Sequence, residues 1–151
     1  MQGGSFFTAF SKGMMVSADQ QIRQEGAPEI RVREAALEIL KKMEIEVVDG
    51  QNVCRVGADV LREPRMCDCI SKVFTSAKSI FTQEQRVCKV SQPCHIFGDI
   101  HGNFSDLKRY EALLWPLGVA FSAGTFLWLG DYVDRGASSV ETVIYMMCMK
   151  V

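Results

Sequence analysis

Two short acidic segments constrain this chain more than any other feature of its sequence. The first is Gly98–Asn103, with the letters GDIHGN, and the second is Gly130–Gly136, with the letters GDYVDRG. Each follows an apolar run typical of a strand and precedes a helical pattern. Glycine allows turns in which the backbone is exposed and can be approached closely. The order strand, helix, strand, helix from Val87 onward predicts an α/β core, with functional residues at the carboxyl ends of its strands.

The residue types in these segments suit a metal site that acts on phosphate. Asp99 and His101 are two positions apart, so both side chains can face one side of an extended turn. A carboxylate and an imidazole together suit Mn, Fe or Zn. Asp131 adds a carboxylate whose two oxygens could reach two ions about 3.5–4 Å apart. Arg135 adds a planar fork of N–H donors that matches phosphate, so the set predicts metal-assisted hydrolysis of a phosphate ester.

The paired segments resemble two signature motifs of the metal-dependent serine/threonine phosphoprotein phosphatases. Ser139–Thr142 and the closing Lys150-Val151 look like the next helix of the type 1, type 2A and calcineurin-like enzymes. Residues 66–85 resemble the helix before their first catalytic strand, so the resemblance covers roughly residues 60–151. It implies the N-terminal part of a metallophosphoesterase β-sandwich flanked by helices, with a helical N-terminal extension before it.

The resemblance also implies a role for each site residue. Asp99 and His101 would bind a first metal, and Asp131 would bridge it to a second. Arg135 would hold the substrate phosphate, and Asp134 would orient a histidine that protonates the leaving alkoxide. We therefore expect two divalent ions (Mn, Fe or Zn) in the full-length enzyme. Phosphoproteins would be its substrates and regulatory subunits its partners.

The family pattern is incomplete in this sequence. The histidine that Asp134 would orient belongs to a Gly-Asn-His-Glu motif, and this chain contains neither that motif nor any histidine besides His95 and His101. The family's other ligands for the second metal, and a further phosphate-binding arginine, have no counterpart here. The last helix stops at Val151 without a C-cap, so the sequence looks cut. We expect residues 1–151 alone not to turn over substrate and the full-length product to be the phosphatase.

Two alternatives stay open beside the protein phosphatase. One is a dinucleoside polyphosphate hydrolase of the same superfamily, against which Tyr132 and Ser139–Thr142 argue. The other is a non-catalytic product that binds one metal or a regulatory subunit. Continuation of the reading frame into Gly-Asn-His-Glu would separate the phosphatase from the non-catalytic product.

Local patterns divide the chain into an N-terminal extension, residues 1–57, and a partial catalytic domain, residues 58–151. Within the extension we predict a mobile arm over 1–27, a helix over 29–43 and a hairpin that turns at Asp49-Gly50. Its strands would cover 44–48 and 53–56. Further elements are expected as a helix over 66–81, strands over 87–90, 94–97 and 125–129, a helix over 103–114, and a last helix that opens at Ser138 with Glu141 completing a capping box.

Several single residues receive structural rather than chemical interpretations. His95 should pack within its strand, Asn103 should cap a helix, Trp128 should be core, and Tyr132 should lie over the site mouth. The predicted apolar face of the last helix is Val140, Val143, Ile144, Met147, Cys148 and Val151.

The amino-acid composition and net charge indicate which partners and which cellular environment to expect. A net charge of -1 gives no basic field for nucleic acid or an anionic membrane. No apolar run approaches the roughly 20 residues of a membrane helix, and the start shows no secretory signal. Without such a signal the 6 cysteines are expected to be reduced, and no further ligands complete the pair Cys67 and Cys69 as a metal site. We expect a cytoplasmic and/or nuclear protein.

Overall fold

The computed structural model describes residues 14–17, 27–43, 45–48, 51–54 and 58–151, and it has the predicted mixture of helices and strands. Its elements, in chain order, are β1 (Met14–Ser17), α1 (Ala27–Lys42), β2 (Ile45–Val48), β3 (Gln51–Cys54), α2 (Ala58–Arg62), α3 (Pro64–Gln83), β4 (Cys94–Phe97), α4 (Phe104–Leu114), a 3₁₀ turn (Val119–Phe121), β5 (Thr125–Trp128) and α5 (Ser139–Lys150).

The central sheet brings the two acidic segments together. Its strand order is β1-β5-β4, and β4 runs parallel to β5 with Phe97 opposite Trp128. Parallel neighbours in register end at the same edge, so the segments that follow β4 and β5 meet there. We call Gly98–Asn103 the first loop and Gly130–Gly136 the second loop. The predicted α/β core, with polar residues at the carboxyl ends of its strands, is confirmed.

An aromatic cluster lies directly beneath these loops. Phe97 stacks on Trp128 with 4.9 Å between ring centroids, and Trp115 meets Phe126 edge-on at 5.0 Å. Trp115, Phe126 and Trp128 are fully buried, which confirms Trp128 as core. Each such aromatic pair is worth about 0.5–1.5 kcal/mol beyond the area it buries. The ends of β4 and β5, from which the loops extend, are therefore held in place by closely packed aromatic rings.

Helices α1 and α3 pack together and against α5. Their shared interface is apolar, as the helical periodicity predicted: Ala35, Ala36, Ile39 and Met43 from α1, and Met66, Cys69, Val73 and Ala77 from α3 are all buried. Two pieces of the predicted extension, α1 and β1, thus pack on the part of the chain that carries the motifs. The boundary at residue 57 stays a prediction.

The predicted face of α5 was partly wrong. Val140 is 58% exposed, whereas Tyr145, Met146 and Met149, which lie outside that face, are buried. Helix α5 is contacted by α1, α3, α4 and β1, so it buries more than one side. Even Lys150 is buried, where it forms an ion pair with Glu84. A single apolar stripe describes a helix on a surface, and α5 is surrounded.

Three other predicted features differ from the structure. Residues 87–90 form no strand, because β4 pairs only with β5 among the described residues, and Val87 is exposed. The capping box at the start of α5 is not formed: Ser138 makes no side-chain cap bond, and Thr142 donates to the Ser138 carbonyl instead. The return strand of the hairpin is Gln51–Cys54, two residues earlier than expected.

The hairpin itself is confirmed, since Val48 pairs with Gln51 across a two-residue connection. Asp49 and Gly50, which were predicted to turn it, lie outside the described residues, as do residues 1–13 and 18–26 of the predicted arm. Within that arm Met14–Ser17 form β1, because they find β5 as an antiparallel partner.

The structure shows five free thiols, at Cys67, Cys69, Cys88, Cys94 and Cys148. Cys67 is exposed and Cys69 is buried, so the two side chains of the pair face different surroundings. Among the described residues, no helix combines the length and apolar character that crossing a membrane requires.

Candidate metal and phosphate site

The first and second loops are joined through their backbones. The Asp131 carbonyl accepts from the amides of Ile100 and His101, each at 3.0 Å. The Gly102 amide donates to the Tyr132 carbonyl at 2.8 Å, and the Gly136 amide donates to the His101 carbonyl at 2.7 Å. Each loop therefore supplies the hydrogen-bond partners that the other requires.

The loops hold an unusual backbone conformation. His101, Asp131, Asp134 and Arg135 have φ values of 50°, 54°, 68° and 58°, in the left-handed region. Residues other than glycine adopt this region uncommonly, at a cost of about 1–3 kcal/mol, and they cluster at functional sites. The described residues show no other positive-φ residue besides glycines. The strain thus coincides with the residues that the sequence singled out.

One glycine fixes how closely the loops approach. A Cβ atom on Gly136 would lie 2.4 Å from the His101 carbonyl oxygen and 2.6 Å from the Gly102 carbonyl carbon. Nothing lies within 4 Å of the corresponding position on Gly98. Sequence reasoning recognised Gly136 as part of a motif but not as the point of contact, since that requires knowing which loop lies opposite.

Asp99, His101 and Asp131 come together as predicted. One potential ligand atom from each lies within 4.8 Å of the others. His101 Nε2 is 3.5 Å from Asp99 Oδ2, and His101 Nδ1 is 3.2 Å from Asp131 Oδ1. Two carboxylates and an imidazole at this spacing are donors that suit Mn, Fe or Zn. The three side chains therefore fit a divalent cation.

A cavity of about 410 Å³ adjoins this cluster. It lies where α4 and α5 begin, and its lining includes His101, Asn103, Arg135 and Ser138. Helix N-termini and a guanidinium both favour an anion. Asp134 is exposed and, like Asp99 and Asp131, is not among the residues that line the cavity.

Neighbouring residues take the structural parts that were predicted, with one difference. The Asn103 side chain accepts from the Asp106 amide at 3.3 Å and so caps α4. His95 stacks on Phe126 with 5.0 Å between centroids, as a packed histidine should. Tyr132, predicted over the site mouth, is half-buried against the hydrophobic core and is not among the residues that line the cavity.

Comparisons with known proteins show a likeness over the part of the chain that contains the site. Residues 93–151 match the family model for calcineurin-like phosphoesterases. This part of the chain is similar to that family. The matched range contains β4, both loops and α5, and therefore the residues that form the cluster and the cavity.

Individual curated proteins similar to this chain carry more specific names than the family model. The chain is 41% identical over 90 residues to the serine/threonine-protein phosphatase BSL2 of Arabidopsis thaliana, covering 56% of this chain and 8% of that protein. It is 38% identical over 81 residues to a putative serine/threonine-protein phosphatase of Schizosaccharomyces pombe, covering 54% and 25%. It is 41% identical over 76 residues to serine/threonine-protein phosphatase PP1-delta of Caenorhabditis elegans, covering 50% and 23%.

The match therefore spans a quarter or less of each relative's length. No solved structure matches the chain significantly.

Proposed function

We propose that this chain is the N-terminal part of a metal-dependent phosphatase that hydrolyses phosphoserine and phosphothreonine in proteins. The observation that carries the proposal is the cluster of Asp99, His101 and Asp131 within 4.8 Å, beside a cavity lined by Arg135. A group of cation-binding side chains next to a guanidinium and two helix N-termini is suited to binding a phosphate ester. The serine/threonine phosphatases among its relatives support proteins as the substrate class.

Each residue of the chain has a part in this proposal. Asp99 and His101 hold a first divalent ion, and the second oxygen of Asp131 is free to reach another. Mn, Fe or Zn ions, when bound, supply Lewis-acid polarisation and lower the pKa of water. Arg135 binds the substrate's phosphoryl oxygens with its planar fork and holds the ester in place. Asp134 orients a histidine that residues 1–151 do not contain.

We further propose that residues 1–151 alone bind a cation but do not turn over substrate. Their only other histidine, His95, is stacked in the sheet and is not near the cluster's atoms in any described contact. The histidine that the proposal requires as general acid beside Asp134 is therefore not among residues 1–151. Regulatory subunits as partners, and a cytoplasmic or nuclear location, belong to the proposal for the whole protein.

Two measurements test the proposed cation binding and the proposed lack of turnover. Calorimetric titration of residues 1–151 with Mn²⁺ should show binding that His101→Gln abolishes and His95→Gln leaves unchanged. An aryl phosphate assay with Mn²⁺ should show no turnover by this chain and turnover by a longer product that includes a Gly-Asn-His-Glu motif. Absence of cation binding by the chain would remove the site assignment. Robust metal-dependent turnover by residues 1–151 would refute its proposed inactivity.

The non-catalytic alternative is favoured by one observation, which is that the described cluster supplies only three ligands and these suffice for one ion. Cation binding by the chain, with no turnover by the longer product, would select that alternative.

A further inference from the structure

The two nitrogens of His101 have different surroundings. Nδ1 lies 3.2 Å from the main-chain carbonyl oxygen of Val133 and 3.2 Å from Asp131 Oδ1. Nε2 has Asp99 Oδ2 nearby, at 3.5 Å, which is longer than a good N–H···O hydrogen bond. A neutral imidazole carries one proton, and a carbonyl oxygen can only accept. The contact at Val133 is therefore favourable only when Nδ1 carries that proton.

We propose that the Val133 main-chain carbonyl is a positioning group, which fixes His101 in the Nδ1–H tautomer and leaves the Nε2 lone pair facing Asp99. A cation held by Asp99 and His101 would then bind Nε2. This last step rests on the proposed function, whereas the tautomer does not. A metal-binding histidine commonly donates its other ring N–H to a carbonyl or carboxylate, which raises the basicity of the ligand nitrogen.

The backbone around Val133 explains why its carbonyl can act in this way. The preceding carbonyl, of Tyr132, accepts from the Gly102 amide, and the following carbonyl, of Asp134, accepts from the Gly136 amide at 2.6 Å. The Val133 carbonyl thus lies between two anchored peptide groups. His101 in turn has its amide and its carbonyl bonded to the second loop. Donor and acceptor are held at both ends, so little freedom remains to be lost when the bond forms.

Asp131 is the competing acceptor at Nδ1. Its side chain is 49% exposed, and water can satisfy its oxygens. If Asp131 binds cations, its lone pairs are also engaged elsewhere. The Val133 carbonyl is not a metal ligand in this proposal, and the peptide groups on either side of it are hydrogen-bonded. The proposal therefore assigns the choice of tautomer to Val133 and treats Asp131 as dispensable for it.

Nuclear magnetic resonance can read the tautomer directly in this chain, because it has only two histidines. The ¹⁵N-labelled, metal-free chain is recorded through two-bond ¹H–¹⁵N couplings at about pH 9, where an ordinary imidazole is neutral. His95→Gln assigns the remaining ring to His101. The expected result is the Nδ1–H pattern. A predominant Nε2–H pattern would overturn the proposal.

One variant separates Val133 from Asp131. Asp131→Gly removes the competing carboxylate, and glycine accepts the φ of 54° found at this position. The Nδ1–H pattern should persist, with His95 resonances unchanged as the control for folding. A shift to Nε2–H, or an equal mixture, would mean that Asp131 held the proton, and the proposal would fail.

Titration with Zn²⁺ completes the experiment. The Nε2 resonance of His101 should move by tens of ppm while the Nδ1–H couplings remain. Coordination through Nδ1 would overturn the positioning role. If no cation binds, the proposed function loses its site, and the tautomer is still judged from the metal-free spectra.

Discussion

The two loops have the same apparent design, a strand end followed by glycine and aspartate, yet they obtain their shapes differently. The first loop has one non-glycine residue at positive φ and ends in Asn103, whose side chain caps α4. The second loop has three such residues, and the side chain of Ser138, which follows it, caps nothing. Both loops depend on their contacts with each other, but local sequence also fixes how the first loop passes into its helix, whereas the second enters its helix without a side-chain cap.

The difference between the loops also affects the candidate site, because each loop supplies part of it. The first loop supplies two of the three cluster residues, and it connects a strand to a helix that its own Asn103 caps. The second loop supplies Asp131, the third cluster residue, and Arg135, which lines the cavity, from a strained backbone. Strain of this kind persists only where the surroundings over-determine the conformation. Changes at the contact between the loops should therefore cost more than changes within either one.

The largest effect is expected from Gly136→Ala. The new Cβ would lie within 2.6 Å of three first-loop backbone atoms, so the loops must separate. We expect a loss of about 3 kcal/mol of unfolding free energy, at the upper end of overpacking costs. Mn²⁺ binding should weaken together with it. Urea denaturation and calorimetry measure the two quantities. Gly98→Ala, where the added Cβ meets nothing, is the matched control and should stay within about 0.5 kcal/mol of the parent.

His101→Ala should remove Mn²⁺ binding without comparable loss of stability. We expect at least about a 100-fold rise in the dissociation constant, since outer-shell changes alone cost 10–100-fold. The backbone hydrogen bonds of His101 to the second loop are made by its amide and carbonyl, which alanine keeps, so the melting temperature should change slightly. His95→Ala should do the reverse, because it removes a ring stacked on Phe126 and leaves the cluster intact. Equal effects of the two variants on Mn²⁺ affinity would contradict the assignment.

Arg135→Ala should weaken binding of inorganic phosphate to the Mn²⁺-loaded chain by about 10–100-fold, the range of charge-assisted hydrogen bonds. Affinity for Mn²⁺ itself should not change. Arg109→Ala removes an equally exposed guanidinium that pairs with Asp106 on the surface of α4, and it serves as the control for net charge. Loss of phosphate affinity in both variants would indicate a nonspecific charge effect.

The smallest expected effect compares the two helix starts. Asn103→Ala should cost about 1 kcal/mol, the usual value of an N-cap. Ser138→Ala should cost less than about 0.5 kcal/mol, because its hydroxyl makes no cap bond. Chemical denaturation of both variants gives the difference. If Ser138→Ala proved as costly as Asn103→Ala, the second loop would be capped like the first.

The features predicted from sequence are those that local patterns determine. Apolar runs and helical periodicity placed β4, β5, α3 and α4 close to their observed bounds. The spacing within the motifs, with the parallel strands they follow, brought Asp99, His101 and Asp131 together. The side chain of Asn103 caps its helix because the bond is formed within three residues.

The remaining features depend on contacts between distant residues. No local pattern could reveal that Gly136 touches His101, that the Val133 carbonyl faces an imidazole, or that α5 is surrounded. Strand β1 is the clearest case: Met14–Ser17 carry no alternation of their own and become a strand because β5 offers a partner. Sequence reasoning assigned them to an arm for that reason.

Strand β1 has a consequence for how the chain behaves in solution. Among the described strands β5 has a neighbour on each side, so the strand that leads into Asp131 exposes no free edge. An uncovered edge presents N–H and C=O groups that recruit strands from other molecules. Removal of residues 1–17 would uncover that edge next to the acidic loops, and light scattering should then rise with protein concentration. Strand β1 thus covers the one edge of the sheet that would otherwise lie along the strand leading into the second loop.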